Sequence, residues 1–270
     1  MENSFREAEL AGWTTRPASY DRHLSPITNQ VIAPIVATLG PLAGKRVLDV
    51  CCGPGHLAAA LAVEGAAAEG LDFAATMVEK ARENYPGLQF RQGDAEALPY
   101  ADGAFDHVVC AFGVMHISHP DTAIAEAFRV LRPHGRYVFT QWAEDDELLK
   151  IVLSAIAEHG EPVASLPNAP PPQRFSDPLE CRRALEAAGF AEVRDGRVDA
   201  TWTSEQPKAL LDLVYGGAVR VAIVLEAQAS ARRARIHEAI LSAAKARAGG
   251  GGIILRRPVV MASGSKPMGG

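Results

Sequence analysis

Between Arg46 and Leu57 a strand, a glycine turn and a helix follow one another without a spare residue, and few folds accept that succession. Arg46-Val47-Leu48-Asp49-Val50 is a short run of strand formers. Cys51-Cys52-Gly53-Pro54-Gly55 is a turn, and His56 to Ala68 reads as an alanine-rich helix. In open α/β sheets, ligands bind outside the carboxyl ends of the strands, near the point where strand order reverses. Glycines in such a turn let the backbone approach a ligand with no Cβ between them. The helix that follows presents backbone N–H groups without internal partners. The stretch therefore predicts a nucleotide-type site at the start of an α/β sheet, with Asp49, Gly53 and Gly55 in its wall.

Two cofactor classes fit that turn. Gly53-x-Gly55-x-x-Ala58 matches the dinucleotide fingerprint in its Gly/Ala form, and Asp72 stands near the distance expected of a ribose-binding acid. Two residues argue against a pyrophosphate. The Asp49 carboxylate repels phosphates but suits an ammonium or sulfonium charge. Pro54 removes a backbone donor from the loop.

Val47-Leu48-Asp49-Val50-Cys51-Cys52-Gly53-Pro54-Gly55 resembles the first motif of the class I S-adenosylmethionine-dependent methyltransferases. The wider segment resembles the branch that holds the ubiquinone and menaquinone biosynthesis methyltransferases. The resemblance implies S-adenosylmethionine as cofactor and S-adenosylhomocysteine as product. It also implies an α/β fold: a Rossmann-like, seven-stranded, mostly parallel sheet with helices on both faces and a helical cap over the carboxyl ends of the strands. The family usually carries glycine or alanine where this chain has Cys51, a change expected to crowd the methionine end. Gly93-Asp94-Ala95-Glu96-Ala97-Leu98-Pro99 resembles a second motif of the family. There Asp94 is expected to accept from the adenine amino group and the Ala95 backbone to donate to a ring nitrogen, with Glu96 beside them. Ala111 and Phe112 stand where the family touches the methionine part. The resemblance is strong over residues 44 to 142 and thin beyond.

Asp72, at the end of a second strand, is placed either to accept both ribose hydroxyls or to cap the helix that follows. Phe73 and Met77 would border the adenine with flat or soft apolar surface. His116 is a candidate general base or a packing residue, and His23 and Tyr20 are the other candidate bases. Tyr20, ahead of Asp21, resembles the family's lid tyrosine; the plainer reading is that Trp13 and Tyr20 pin the N-terminal helices. Arg174 either holds an acidic substrate or is a surface charge.

Residues 1–44 are expected to form an N-terminal helical lid, with Ser25 capping a helix that runs to Leu39. Residues 45–142 form the cofactor-binding core, completed by strands in 190–203 and 253–267. Segments 143–189 and 204–252 are helical insertions that shape the substrate pocket; a homodimer interface is their alternative use. Pro162 to Pro172 reads as a proline-rich loop, the helical run from Glu205 breaks at Gly216-Gly217, and Gly249 to Gly252 reads as a flexible link. A net charge of −5 gives no nucleic-acid footprint. No apolar run is long enough to span a bilayer, no leader pattern opens the chain, and the four cysteines lack metal spacing. A cytoplasmic enzyme without metal is expected, acting on a small molecule and not on nucleic acid or at a membrane. A cofactor-binding protein that no longer methylates and a dinucleotide oxidoreductase remain the alternatives.

Overall fold

The computed structural model describes residues 5–162 and 169–268. Four short helices open the chain: α1 (Phe5–Thr14), α2 (Pro17–His23), α3 (Ser25–Thr28) and α4 (Ile32–Leu39). The single helix expected from Ser25 to Leu39 is thus two, separated by a 3-10 turn at Asn29–Val31. Ser25 caps neither: the N-cap position of the first is Leu24, and among the described residues the buried Ser25 hydroxyl has no hydrogen-bond partner.

The core alternates strand and helix as the pattern required. It comprises β1 (Arg46–Val50), α5 (His56–Val63), β2 (Ala67–Asp72), α6 (Ala75–Asn84), β3 (Gln89–Gln92), β4 (Phe105–Ala111), α7 (Pro120–Val130) and β5 (Leu131–Trp142). Then follow α8 (Glu147–His159), α9 (Pro178–Ala187), β6 (Ala191–Ser204), α10 (Lys208–Gly217), α11 (Val219–Glu226), α12 (Ser230–Lys245), β7 (Ala248–Gly249) and β8 (Gly252–Ser265). The sheet runs β3-β2-β1-β4-β5-β8-β6. Its first five strands are parallel, and β8 is antiparallel to both β5 and β6. Strand order reverses between β1 and β4, so their carboxyl ends mark the place where such a sheet takes a ligand.

The eighth strand was not expected. Ala248 and Gly249 pair with Ile253 and Gly252, so the glycine stretch is a tight hairpin rather than a link. Nor do Gly216 and Gly217 break the helical run, which is interrupted at Ala218 and again before Ser230. Both glycines lie at the end of α10 and let the N-terminal segment approach. A Cβ on Gly216 would meet the Ser19 Cβ at 3.2 Å, and one on Gly217 the Leu24 side chain at 2.8 Å.

One face of the sheet is covered by α4, α5, α8, α10 and α12, the other by α7 and α9. Helix α8 buries Leu148, Ile151, Val152 and Ala155, the spacing of a single helical face. Its N-terminus is fixed by Asp146, which accepts from Leu148 N at 3.0 Å and Leu149 N at 3.3 Å. Of the proline-rich loop, residues 163–168 lie outside the described residues. Among the described residues no helix is long and apolar enough to cross a membrane.

Candidate active site

The turn after β1 reaches its geometry through three left-handed residues: Cys51 (φ 59°), Gly53 (φ 50°) and Gly55 (φ 86°). Glycine adopts that region at little cost, but a side chain does not. A Cβ on Gly55 would lie 2.7 Å from Phe90 Cζ, so the turn also needs the missing atom. Cys51 is the exception, a side chain where the backbone favours glycine. A hydrogen bond with Cys110, followed by burial, pushes its thiol far above the usual range and keeps it protonated.

Two carboxylates flank the turn. Asp49 is buried at the end of β1 and accepts from Ala58 N at 3.1 Å. Burial outweighs that bond and, with the neighbouring Asp72 charge, pushes Asp49 up to about 8. Asp72 at the end of β2 accepts from Gly53 N at 2.9 Å and from Ala74 N at 3.0 Å. Burial pushes it up to about 6 against those two bonds. Because Ala74 is itself the N-cap of α6, Asp72 is not that helix's cap. Its carboxylate ties the glycine turn to the neighbouring strand and faces the cavity.

That cavity encloses about 90 Å³ over the carboxyl ends of the strands. Asp72, Phe73 and Met77 form one wall; Asp94, Ala95 and Glu96 form a second; Ala111, Phe112 and His116 form a third. The N-terminal segment closes the remaining side with Arg6, Trp13 and Tyr20. Arg6 pairs with Asp94 at 2.6 Å, and Trp13 packs edge-on against both Tyr20 and His116. Asp49 borders a smaller hollow of about 40 Å³ together with Ser25 and Thr28. Tyr20, Cys51, Gly53, Ala111 and Phe112 line both spaces, so the tyrosine stands between them.

Of the three candidate bases, His116 lines the cavity together with Tyr20. Burial pushes the Tyr20 phenol up to about 12, although Thr28 hydrogen-bonds to it, so it keeps its proton near neutrality. His23 borders neither space; it packs toward Gly216 and an outer hollow beside Thr201–Ser204. Arg174 is no free substrate clamp either, since it is paired to Asp121 at 2.7 Å and Glu180 at 3.4 Å.

The group that holds His116 was not among the expected site residues. Its Nδ1 lies 2.9 Å from Glu9 Oε2, a carboxylate with no exposed surface. Trp13 Nε1 donates to the same oxygen at 3.1 Å, and Arg220 Nε donates to Oε1 at 2.9 Å. Burial alone would raise Glu9, but His116 and Arg220 together hold it below the usual carboxylate range. Arg220 also donates to the Met115 carbonyl and covers the Phe5 ring at 4.3 Å.

A second cavity, of about 360 Å³, opens beyond His116 and Trp142, which line both spaces. Its wall is mainly leucine, isoleucine and valine from α8, α10 and α11. Trp142 is clamped, with Phe112 stacked at 4.2 Å and the Arg257 guanidinium 3.8 Å from its ring. Both arginines in the wall are matched by carboxylates, Arg220 by Glu9 and Arg257 by Asp146. Gln141 is buried in the same wall. Its Nε2 donates to the Pro172 carbonyl at 2.8 Å, and among the described residues its Oε1 has no partner.

Residues 47–135 match the family described as a methyltransferase domain. Over that segment the chain is similar to methyltransferases. Among curated relatives, it is 37% identical over 109 residues to a demethylmenaquinone methyltransferase of Renibacterium salmoninarum, covering 40% of this chain and 46% of that one. It is 26% identical over 228 residues to a malonyl-[acyl-carrier protein] O-methyltransferase of Enterobacter lignolyticus, covering 76% and 88%. The chain thus spans about half the length of the first of these relatives. In structure it is similar to the YcgJ protein of Bacillus subtilis, with a TM-score of 0.59 and 21% identity over 89% of this chain and 100% of that one. The methyltransferase motifs lie around the first cavity, whereas the second is built mostly from segments outside the matched residues.

Proposed function

We propose that this protein is a methyltransferase that moves the methyl group of S-adenosylmethionine to an uncharged, predominantly apolar small molecule. The observation that carries the proposal is the meeting of two cavities at His116 and Trp142. One is bordered by acids and the glycine turn, and the other is apolar with its arginines neutralised. The residues present fit the cofactor. Asp72 would take the ribose, Phe73 and Met77 would border the adenine, and Asp94 with the Ala95 and Glu96 backbone would meet its edge. Asp49, beside the unpartnered Ser25 hydroxyl, suits the charged amino-acid end. The enclosed space is smaller than the roughly 300–1,000 Å³ of ordinary ligand pockets, so loading requires Trp13 and Tyr20 to give way. In this reading residues 5–44 act as a lid, and α8, α10 and α11 shape the acceptor pocket.

Bound S-adenosylmethionine supplies an electrophilic methyl on a sulfonium. The protein's part is alignment, worth up to about 7–11 kcal/mol when the reacting atoms are held at near-attack distance. With the methyl supplied by the bound cofactor and a neutral thioether as its by-product, His116 Nε2 would hold the proton given up by the acceptor. Trp13, Tyr20 and Trp142 keep water from the reacting atoms.

The test is transfer of labelled methyl to apolar acceptors, preceded by thermal melts with S-adenosylmethionine and its demethylated product. Ligand at 100 times its Kd adds about 2.7 kcal/mol, a rise of several degrees for a chain of this size. Asp72→Ala is expected to abolish the rise. Neither adenosyl ligand raising the melt would overturn the assignment.

Cofactor affinity is expected to increase from pH 6 to 8. Buried Asp49 and Asp72 are raised in the free protein, Asp49 to about 8 and Asp72 to about 6. A ligand bearing ammonium and sulfonium favours their ionised forms, so binding releases protons, and each released proton gives at most tenfold per pH unit. In the free protein the sign is opposite. The folded state binds more protons than the unfolded chain, so these acids make it lose stability as pH rises from about 4 to 8. Calorimetry in buffers of different ionisation enthalpy counts the protons released; a count of zero across that range contradicts the account.

A further inference from the structure

We propose that Glu9 is the positioning residue of His116: it holds the Nδ1 proton and leaves the Nε2 lone pair facing the two cavities. The inference rests on reading His116 as the base but is tested apart from it. A carboxylate can only accept at Nδ1, so the 2.9 Å contact requires a proton there in either charge state of the ring. Among the described residues Nε2 makes no hydrogen bond, and the imidazole lines both cavities. In a neutral ring the nitrogen without the proton is therefore the one beside the reacting atoms.

The tautomer depends on three distant pieces of chain. Glu9 comes from α1, His116 from the turn after β4, and Arg220 from α11. Arg220 donates to one Glu9 oxygen and to the Met115 backbone, so Glu9 cannot swing away while α11 is in place. Trp13, one helical turn after Glu9, donates to the oxygen that meets His116 and packs edge-on to the imidazole. The charged groups around His116 are Glu9 and Asp72, with Arg220 paired to the other Glu9 oxygen. Undocking α1 withdraws the carboxylate. The same segment closes the cofactor cavity, so base and enclosure are assembled together, and a half-loaded site holds no oriented base.

The experiment is nitrogen NMR of the imidazoles in the full chain, with and without S-adenosylhomocysteine. The His116→Gln spectrum identifies the His116 signals. In the parent, Nδ1 is expected to carry the proton and Nε2 to show the shift of an unprotonated ring nitrogen. Glu9→Gln is expected to lose that preference. A parent ring protonated at Nε2 overturns the proposal without any variant, as does an unchanged tautomer in folded Glu9→Gln. A purely structural role for Glu9 would lower the melt of that variant and leave the tautomer in place. If the tautomer is as expected but His116→Ala methylates at the parent's rate, the base reading fails and the positioning does not.

Discussion

Alanine at position 146 is expected to cost about 3–5 kcal/mol, a fall in melting temperature of roughly 6–20 °C for a chain of this size. Asp146 has no exposed surface and does two things at once. Its Oδ1 caps α8 through Leu148 N and Leu149 N, and both oxygens take the Arg257 guanidinium, the shortest contact being 2.7 Å. Loss of the cap alone is worth about 1 kcal/mol. The larger part comes from Arg257, itself buried, which would be left without its counter-charge. Asp146→Asn separates the contributions, because asparagine caps as well as aspartate but carries no charge; it is expected to recover only the smaller part. The double change Asp146→Leu with Arg257→Met removes both charges and is expected to melt closer to the parent than either single change. Circular dichroism melts of the four proteins measure these terms, and an Asp146→Ala variant that melts with the parent would show the pair contributes nothing. Because Arg257 lies against Trp142, the alanine variant should also loosen the wall between the cavities.

The parts of this molecule that were legible in the sequence are those in which neighbours in the chain are neighbours in space. The β1 turn, the Asp72 strand end and the Asp94 loop each gather their residues within a few positions, and the motif carries the geometry. Strands β6 and β8 were also visible, since a long alternating segment has few other uses. The short β7 was hidden because two residues have no period. Ser25 looked like a cap by type and place, but its hydroxyl is buried away from any backbone donor. Glu9 was missed for a different reason. An acid on an amphipathic helix usually faces water, and its partners His116 and Arg220 lie 107 and 211 residues away. Only its i,i+4 spacing to Trp13 marked it. Gln141 and Arg220 belong to the acceptor cavity, whose walls meet only through tertiary packing of segments that carry no family pattern.

Alanine in place of His116 is expected to lower kcat about 100- to 10,000-fold, the range lost when a positioned acid or base is removed. The Kd for S-adenosylmethionine should change little, because the adenine, ribose and amino-acid contacts come from other residues. The fold should tolerate the change, since Glu9 keeps Trp13 and Arg220 as donors. In the variant the remaining rate should climb with pH as the acceptor ionises unaided. Removing the ring leaves a gap between the two cavities, so added imidazole should restore part of the rate, and more of it at a pH where imidazole is neutral. Single-turnover transfer of labelled methyl, with cofactor saturating, reads the chemical step directly. A variant as fast as the parent at every pH would mean that the acceptor sheds its proton without help and that His116 only packs against Trp13. A slow variant that imidazole rescues would mean that the proton leaves through this ring, which ties the chemistry to the segment that holds Glu9.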